Sequence, residues 1–274
     1  MPSEGGRNAA VAIESPRDHR SNRFLAALEP GDFALLEPHL EPVILARGTV
    51  LYEVGDPIRF TYFPHDAIVS LVDVMDDGRL AEVAIFGREG LFGLLSAFVS
   101  REAFGRYVVQ VPGSASRLPL DHMHAAIQAS PSLQRLVLAY NEALLAQAYH
   151  TVACNALHTV EARCCRWLLS THDRLDQDAL PLTHEFLAEM LGVQRSTVSA
   201  TLRSLQATGV IEQRRGGIDV IDRAGLEQAA CECYRKIRFR FDRLLPGTYA
   251  DPDRRDGHPP QPVLPIASRL KPLG

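Results

Sequence analysis

The strongest hydrophobic pattern in this chain lies in residues 183–205, which read THEFLAEMLGVQRSTVSATLRSL. Apolar residues recur there at helical spacing on both sides of a glycine, which predicts two helices joined by a tight turn. Thr183 is the expected N-cap of the first helix, and Gly192 is expected to adopt the positive φ of the turn. In the second helix Val198 and Leu202 lie four residues apart, so they share the buried face.

The opposite face of the second helix carries arginine and small hydroxyl side chains, which suit the major groove of DNA. Residues 212–221 predict a β-hairpin that turns at Gly216 and Gly217, with two arginines placed to meet phosphate. A pair of merely solvated surface helices is the alternative, but it does not account for this basic hairpin. We therefore predict a winged helix-turn-helix. The residues expected to contact DNA are Thr183, Gln194, Arg195, Ser196, Thr197, Ser199, Arg203, Arg214 and Arg215.

Residues 182–211 resemble the C-terminal domain of the Crp/Fnr family of bacterial transcription regulators. The matching positions are Leu182, Thr183, Leu187, Ala188, Leu191, Gly192, Arg195, Thr197, Val198, Leu202, Leu205, Gly209, Val210 and Ile211. The resemblance implies an α+β fold: an N-terminal antiparallel β-roll similar to cyclic-nucleotide-binding domains, a long dimerisation helix, and a C-terminal winged helix-turn-helix. It also implies a homodimer that binds double-stranded DNA, works with RNA polymerase and has no enzymatic activity.

Residues 41–120 consist of short runs rich in β-forming residues, separated by turn residues, which predicts a β-sandwich or a β-roll. Strands are expected at residues 43–45, 50–52, 60–63, 67–74, 80–85 and 107–111. Within this region, residues 47–56 resemble the opening of the cyclic-nucleotide-binding β-roll of the same family.

The segment that would hold a cyclic nucleotide departs from the family pattern. Cyclic-nucleotide binders of this family use an Arg-Ser pair for the phosphate and a Gly-Glu pair for the ribose, but residues 87–95 read GREGLFGLL. The Gly-Glu-Leu order is missing, and no Arg-Ser follows at the expected place. Glu89 and Arg106 are the candidates for effector contacts in this region, as a carboxylate and a cation. We therefore expect an apolar or other effector, or none, in preference to cyclic AMP or cyclic GMP.

Residues 131–157 predict an unusually long helix, with Ser130 as N-cap and Pro131 at the first helical position. Along it, one row of residues recurs at alternating three- and four-residue spacing, which is typical of a coiled-coil seam. The expected seam joins two parallel copies of the chain, and the alternative is a helix buried within one domain. The seam residues are Val137, Tyr140, Leu144, Gln147, Thr151 and Cys154.

Composition places few further limits on function. The chain has 274 residues, 46% of them hydrophobic, and a formal net charge of −4, which excludes a wholly basic nucleic-acid coat but not a local basic DNA-binding face. Neither a signal peptide nor an apolar run of membrane-spanning length is visible. We therefore expect a cytoplasmic protein.

Cysteine and histidine positions indicate neither a bound metal nor a cofactor. No cysteine precedes Cys154, which excludes an N-terminal iron–sulfur cluster, and the five cysteines lack metal-knuckle spacing, as expected for reduced thiols. His122 and His124 are expected to face apart on a helix. His65 is expected to be a solvated turn residue and not a haem ligand.

The predicted domain order is a disordered segment 1–22, a β-roll sensor domain 23–130, a dimerisation helix and hinge 131–157, a winged helix-turn-helix domain with one C-terminal helix 158–245, and a disordered tail 246–274. The expected function is sequence-specific transcription regulation by a homodimer whose sensor domain controls the spacing of two recognition helices. The alternative is a cupin-like metalloenzyme, or a small-molecule-binding protein, with an appended helical domain. The absence of a histidine-rich strand motif counts against the metalloenzyme.

Overall fold

The computed structural model describes residues 11–12, 18–175 and 177–248. The strands are β1 (Val11–Ala12), β2 (Glu41–Leu45), β3 (Val50–Tyr52), β4 (Phe60–Pro64), β5 (Ile68–Val74), β6 (Leu80–Phe86), β7 (Arg106–Val111), β8 (Gly113–Pro119), β9 (Ala179–Leu180), β10 (Ile211–Arg214) and β11 (Gly217–Val220). The helices are α1 (Arg23–Ala26), α2 (Pro30–Leu36), α3 (Leu120–Ala129), α4 (Pro131–Leu157), α5 (Val160–His172), α6 (His184–Leu191), α7 (Arg195–Ala207), α8 (Arg223–Ala229) and α9 (Cys233–Leu244).

Two four-stranded antiparallel sheets form the N-terminal roll, in the orders β1-β2-β8-β4 and β3-β7-β5-β6. Their inner faces contribute to one hydrophobic core, so the prediction of an antiparallel β-roll is confirmed. Strand β8 was missed by the sequence pattern because its residues GSASRLP are mostly small or polar and have weak β-propensity. It nevertheless lies inside its sheet, paired with both β2 and β4.

Aromatic side chains fill the interior of the roll. The rings of Tyr62 and Phe92 stack with centroids 4.9 Å apart, and Phe92 stacks in turn on Tyr107 at 5.6 Å. Phe86 lies 5.9 Å from the Tyr107 ring, and all four side chains are buried. These four rings therefore form a packed aromatic cluster inside the roll.

Helix α4 occupies the range predicted for the long helix. Ser130 Oγ accepts a hydrogen bond from the Leu133 N–H at 3.2 Å, and Pro131 begins the helix, as expected from their capping preferences. One face of α4 packs on the roll and on α9, where Tyr140 meets Phe241 edge to face. The Tyr140 hydroxyl donates to the Leu91 carbonyl at 2.7 Å, which ties the helix to the roll.

The predicted dimer seam does not lie on the surface of α4. All six of its residues are at most 7% exposed within a single chain, because the roll, α9 and neighbouring elements cover them. They are Val137, Tyr140, Leu144, Gln147, Thr151 and Cys154. The physical reason is that α4 has apolar residues on two adjacent faces. The roll and α9 of the same chain pack on the face that was predicted to form the dimer seam. The uncovered face carries Leu138, Leu145 and Val152, each one residue further along the helix.

The C-terminal domain is a winged helix. Trp167 and Leu168 of α5 share a hydrophobic core with residues of α6 and α7, and the sheet β10-β11-β9 forms the wing. The one C-terminal helix predicted for this domain is two helices in the structure, α8 and α9, separated at residues 230–232. The second of them, α9, turns back to pack against α4.

The winged helix is docked on the roll of its own chain. Ile85 and Val111 of the roll share a hydrophobic cluster with Leu187 and Met190 of α6. At the same boundary Arg174 Nε donates to Glu89 Oε1 at 2.8 Å, with both side chains 1% exposed. Among the described helices, none is long and apolar enough to cross a bilayer.

The predicted terminal segments are only partly covered by the description. Residues 1–10, 13–17 and 249–274 lie outside it. Residues 18–22, assigned to the disordered segment, instead form a short 3₁₀ turn that leads into α1. Asn22 is fully buried there; it caps α1 and donates to the carbonyls of Pro64 and Gly90, each at 2.8 Å.

Candidate DNA-binding site

Helix α6 and the turn after it form as their sequence dictates. Thr183 Oγ1 accepts a hydrogen bond from the Phe186 N–H at 3.2 Å, which satisfies one of the free amides at the helix start. At the other end Gly192 has φ +62°, a left-handed conformation that glycine adopts without strain. The chain therefore reverses direction tightly and enters α7.

Helix α7 has one buried and one exposed face. Val198, Leu202 and Leu205 are at most 2% exposed and pack against α5 and α6, as predicted. The side chains expected to face DNA from this helix and its start are exposed at Gln194, Arg195, Ser196, Thr197 and Arg203.

Ser199 is the exception on this face, because it is only partly exposed. Its Oγ lies 2.9 Å from His184 Nδ1, so the hydroxyl links α7 to the first residue of α6. His184 had not been singled out from the sequence, and nothing in helical periodicity marks it. Its contact depends on the angle at which the two helices cross, which is a tertiary property.

The wing turns one residue earlier than predicted. Arg214 pairs with Gly217 in the register of β10 and β11, so Arg215 and Gly216 form the turn, and Gly216 has φ +81°. Arg215 is therefore at the tip. Arg214 lies along the wing, where its Nε is 2.5 Å from Asp219 Oδ2 and its Nη2 is 3.5 Å from Glu212 Oε2.

A cleft of about 400 Å³ separates the wing from the start of α7. Its lining includes Thr183, Arg195, Arg214 and Gly216, so the three predicted DNA-contacting residues among them share one concave surface. Arg195, Arg203 and Arg215 make no salt bridge within the described part of the chain. These three guanidinium groups are consequently available to an external anion.

The two candidate effector residues are engaged elsewhere. Glu89 is buried under the winged helix and accepts from Arg174, as described above, and from the Gly87 N–H at 3.3 Å. Arg106 Nε donates to Glu53 Oε2 at 2.9 Å near the protein surface. Each of the two residues therefore forms an ion pair within its own chain.

A second buried carboxyl lies at the same boundary as Glu89. Glu82 of β6 accepts from Trp167 Nε1 at 2.9 Å and from Ser70 Oγ at 2.6 Å. Burial raises the pKa of Glu82 above its ordinary value, and the two hydrogen bonds and nearby arginines oppose that shift. The Trp167 bond connects α5 of the winged helix directly to the roll.

Three histidines considered from the sequence have structural contacts. His65 is 4% exposed, so the expectation of a solvated turn residue was wrong; its Nε2 lies 2.8 Å from Ser116 Oγ, inside the roll. His122 stacks on His39 with ring centroids 3.7 Å apart. His124 Nδ1 is 3.1 Å from Arg101 Nη2, so this histidine is held apart from His122.

Comparisons with known proteins agree with this geometry. The family model of the Crp-like helix-turn-helix domain matches residues 162–229. The chain is similar to the global nitrogen regulator of Synechococcus elongatus, with 25% identity over 192 residues that cover 66% of this chain and 86% of the relative. It is also similar to the CRP-like cAMP-activated global transcriptional regulator of Mycobacterium tuberculosis, with 24% identity over 210 residues, 74% of this chain and 94% of the relative.

Solved structures show the same fold. The structure of FixK2 from Bradyrhizobium japonicum superposes with a TM-score of 0.58 at 18% identity, over 70% of this chain and 98% of that one. A putative regulator of the crp/fnr family from Eubacterium rectale superposes with a TM-score of 0.55 at 16% identity, over 77% and 98% of the two chains. Residues 162–229 thus form a Crp-like helix-turn-helix domain, and the chain as a whole is similar in sequence and in fold to transcriptional regulators of the Crp/Fnr type.

Proposed function

We propose that the protein regulates transcription as a homodimer whose sensor roll controls the spacing of two recognition helices. The observation that carries the proposal is the pairing of two surfaces on one chain. One is the basic face of α7 and the wing, with the free guanidinium groups of Arg195 and Arg215. The other is an exposed apolar stripe on α4, which leads through residues 158–159 to the DNA-binding domain.

The stripe replaces the seam inferred from the sequence as the proposed dimer contact. It consists of Leu138, Leu145, Tyr149 and Val152, which are 59%, 59%, 72% and 71% exposed in the single chain. Leu138, Leu145 and Val152 are seven residues apart, and Tyr149 follows Leu145 by four, which is the a/d pattern of a coiled coil. Apolar side chains so exposed along one helix favour burial against a second copy.

The mechanism that we propose is a shift between arrangements of the winged helix on the roll. A dimer reads two half-sites whose centres are about 34 Å apart, one turn of DNA, so small rotations at residues 158–159 change operator affinity. The Arg174–Glu89 and Trp167–Glu82 contacts stabilise the docked arrangement described above. RNA polymerase is the further partner that family membership suggests for such a regulator.

Cyclic AMP is expected not to act as the effector. Added at millimolar concentration, it should change neither the melting temperature nor the operator affinity, because aromatic rings fill the roll and Glu89 is paired with Arg174. A ligand at a hundredfold excess over its dissociation constant stabilises by about 2.7 kcal/mol, which thermal unfolding detects readily. A saturable rise in melting temperature with cyclic AMP would contradict this expectation.

Arg195 is proposed to read a base. It lies in the first turn of α7 on the exposed face, where an arginine fork reaches the O6 and N7 atoms of guanine. Arg195→Ala should therefore cost about 1–3 kcal/mol of operator binding and relax the preference at one base pair per half-site. The measurement is binding to an operator selected from random DNA and to its single-base variants.

The matched control is Arg215→Ala at the tip of the wing, which is proposed to contact phosphate. It should weaken all sequences alike and lower the slope of log affinity against log salt by about one. Arg214 and Thr183 remain candidates for further backbone contacts, although Asp219 already neutralises much of the Arg214 charge. If Arg195→Ala also weakens every sequence equally, Arg195 does not read a base.

A further inference from the structure

Four side chains that bind metals meet between the last turn of α4 and the break before α9, away from the surface proposed to bind DNA. They are Cys154, His158, Cys231 and Cys233, and each offers one ligand atom within 4.8 Å of all the others. Cys154 Sγ lies 3.4 Å from Cys231 Sγ, and Cys233 Sγ lies 3.7 Å from His158 Nδ1.

We propose that these four residues form a tetrahedral Zn²⁺ site. Zinc bonds of about 2.3 Å to sulfur and about 2.0–2.1 Å to nitrogen imply neighbouring ligand atoms about 3.5–3.8 Å apart in a tetrahedron. The two observed distances are close to those edges. Three thiolates and one imidazole are a common ligand set of structural zinc sites, and four protein ligands leave no open position for catalysis.

The surroundings of the cluster favour a bound ion. The three cysteines are at most 7% exposed and form a small cluster of their own, separate from the two large hydrophobic cores. Arg166, which is 6% exposed, donates from its Nε to Cys154 Sγ at 3.3 Å. Because Zn²⁺ with three thiolates carries a net charge of −1, a buried guanidinium beside one sulfur offsets the remaining charge.

His158 is held in the orientation of a metal ligand. Its Nε2 lies 3.2 Å from Glu232 Oε2, while its Nδ1 is directed towards Cys233. Ligating histidines usually donate their second ring N–H to a carboxylate or carbonyl, which fixes the tautomer and raises the basicity of the nitrogen that binds the metal. Glu232 is therefore a positioning residue for the site.

Chain geometry brings the ligands together in two pairs. Cys154 and His158 are four residues apart at the end of α4, so they lie on one side of its last turn. Cys231 and Cys233 flank Glu232 at the break between α8 and α9. An ion at this position would join the end of the long helix to the C-terminal helices, and its ligands would include the first residue of the connection 158–159 that leads to α5.

The test is the metal content of the full-length chain purified under reducing conditions, followed by removal of the metal and titration with Zn²⁺ or Co²⁺. We expect one zinc ion per chain, and Co²⁺ should give the visible absorption of a tetrahedral thiolate site. Cys231→Ser should abolish stoichiometric binding, whereas Cys165→Ser, which alters a buried cysteine outside the cluster, should leave it intact.

A second variant keeps the proposal testable if Cys231→Ser fails to fold. Glu232→Gln preserves all four ligands and should weaken Zn²⁺ affinity by about 10–100-fold, measured by competition with a chelator. Reduced, folded protein that binds neither Zn²⁺ nor Co²⁺ overturns the proposal, as does Cys231→Ser protein that binds the metal like the wild type. A Cys154–Cys231 disulfide that forms instead, without metal binding after its reduction, overturns it equally.

Discussion

Replacing Arg174 by methionine is expected to lower the free energy of unfolding by about 3–5 kcal/mol, because it leaves the buried Glu89 carboxylate without its ion pair. Arg174 follows α5 and reaches under the roll, where its Nε donates to Glu89 Oε1 at 2.8 Å. Its Nη1 also donates to the Ser170 carbonyl at 2.7 Å. Water cannot compensate for the loss, because both charged side chains are 1% exposed.

Urea unfolding of the single variants Arg174→Met and Glu89→Leu and of the double variant measures this contribution. The double variant removes both charges together, so it should recover much of the stability that either single variant loses. The double variant should nevertheless weaken the contact between the winged helix and the roll, since the ion pair lies between these two domains. A loss of less than 1 kcal/mol for Arg174→Met would contradict a buried pair at this position.

Replacing Leu145 by glutamate is expected to convert the proposed dimer into monomers. Leu145 lies in the middle of the exposed stripe, so two copies would bring the new carboxylates close together across the helix pair. Each leucine side chain contributes about 1.5–3 kcal/mol when it is buried, so losing two raises the dimer dissociation constant by at least about 100-fold. Operator binding should fall with it, because one recognition helix reads only a half-site.

Sedimentation equilibrium of the full-length chain checks the oligomeric state. The matched control is Val99→Glu, which places the same charge at an exposed apolar residue on the roll and should leave the dimer intact. Leu144→Glu, one residue before the stripe, should unfold the protein instead, since Leu144 is 4% exposed within one chain. A folded Leu145→Glu variant that remains dimeric would place the dimer contact elsewhere.

The helix-turn-helix could be predicted from the sequence because local interactions specify it. Thr183 caps α6 by accepting from the N–H of Phe186, only three residues further along the chain. Gly192 supplies a left-handed backbone conformation that other residues adopt only with strain. Val198 and Leu202 need only helical periodicity to identify the buried face of α7. These signals lie within one stretch of chain, so sequence reasoning found both the element and the exposed side of its second helix.

The long helix was predictable as a helix, but its exposed face was not. Leu144 and Leu145 are both apolar, and helical spacing is equally good for the rows that contain them. Which row is buried depends on where the roll and α9 pack, so it is decided by contacts between residues distant in sequence. Helix α9 returns to α4 and places Phe241 against Tyr140. It therefore packs on the side of α4 that contains Tyr140 and Leu144, and the row that contains Leu145 stays exposed.

The buried ion pair and the cysteine–histidine cluster depended wholly on tertiary structure. Glu89 looked like a ligand contact because it lies near the family's nucleotide-binding segment, yet the docked winged helix places Arg174 beside it. Cys154 and Cys231 are far apart in the chain and match no short metal-binding spacing. Sequence therefore determined the helix-turn-helix and most strands of the roll through local patterns, whereas only the packing of the C-terminal domain decided which charges are paired and which sulfur atoms meet.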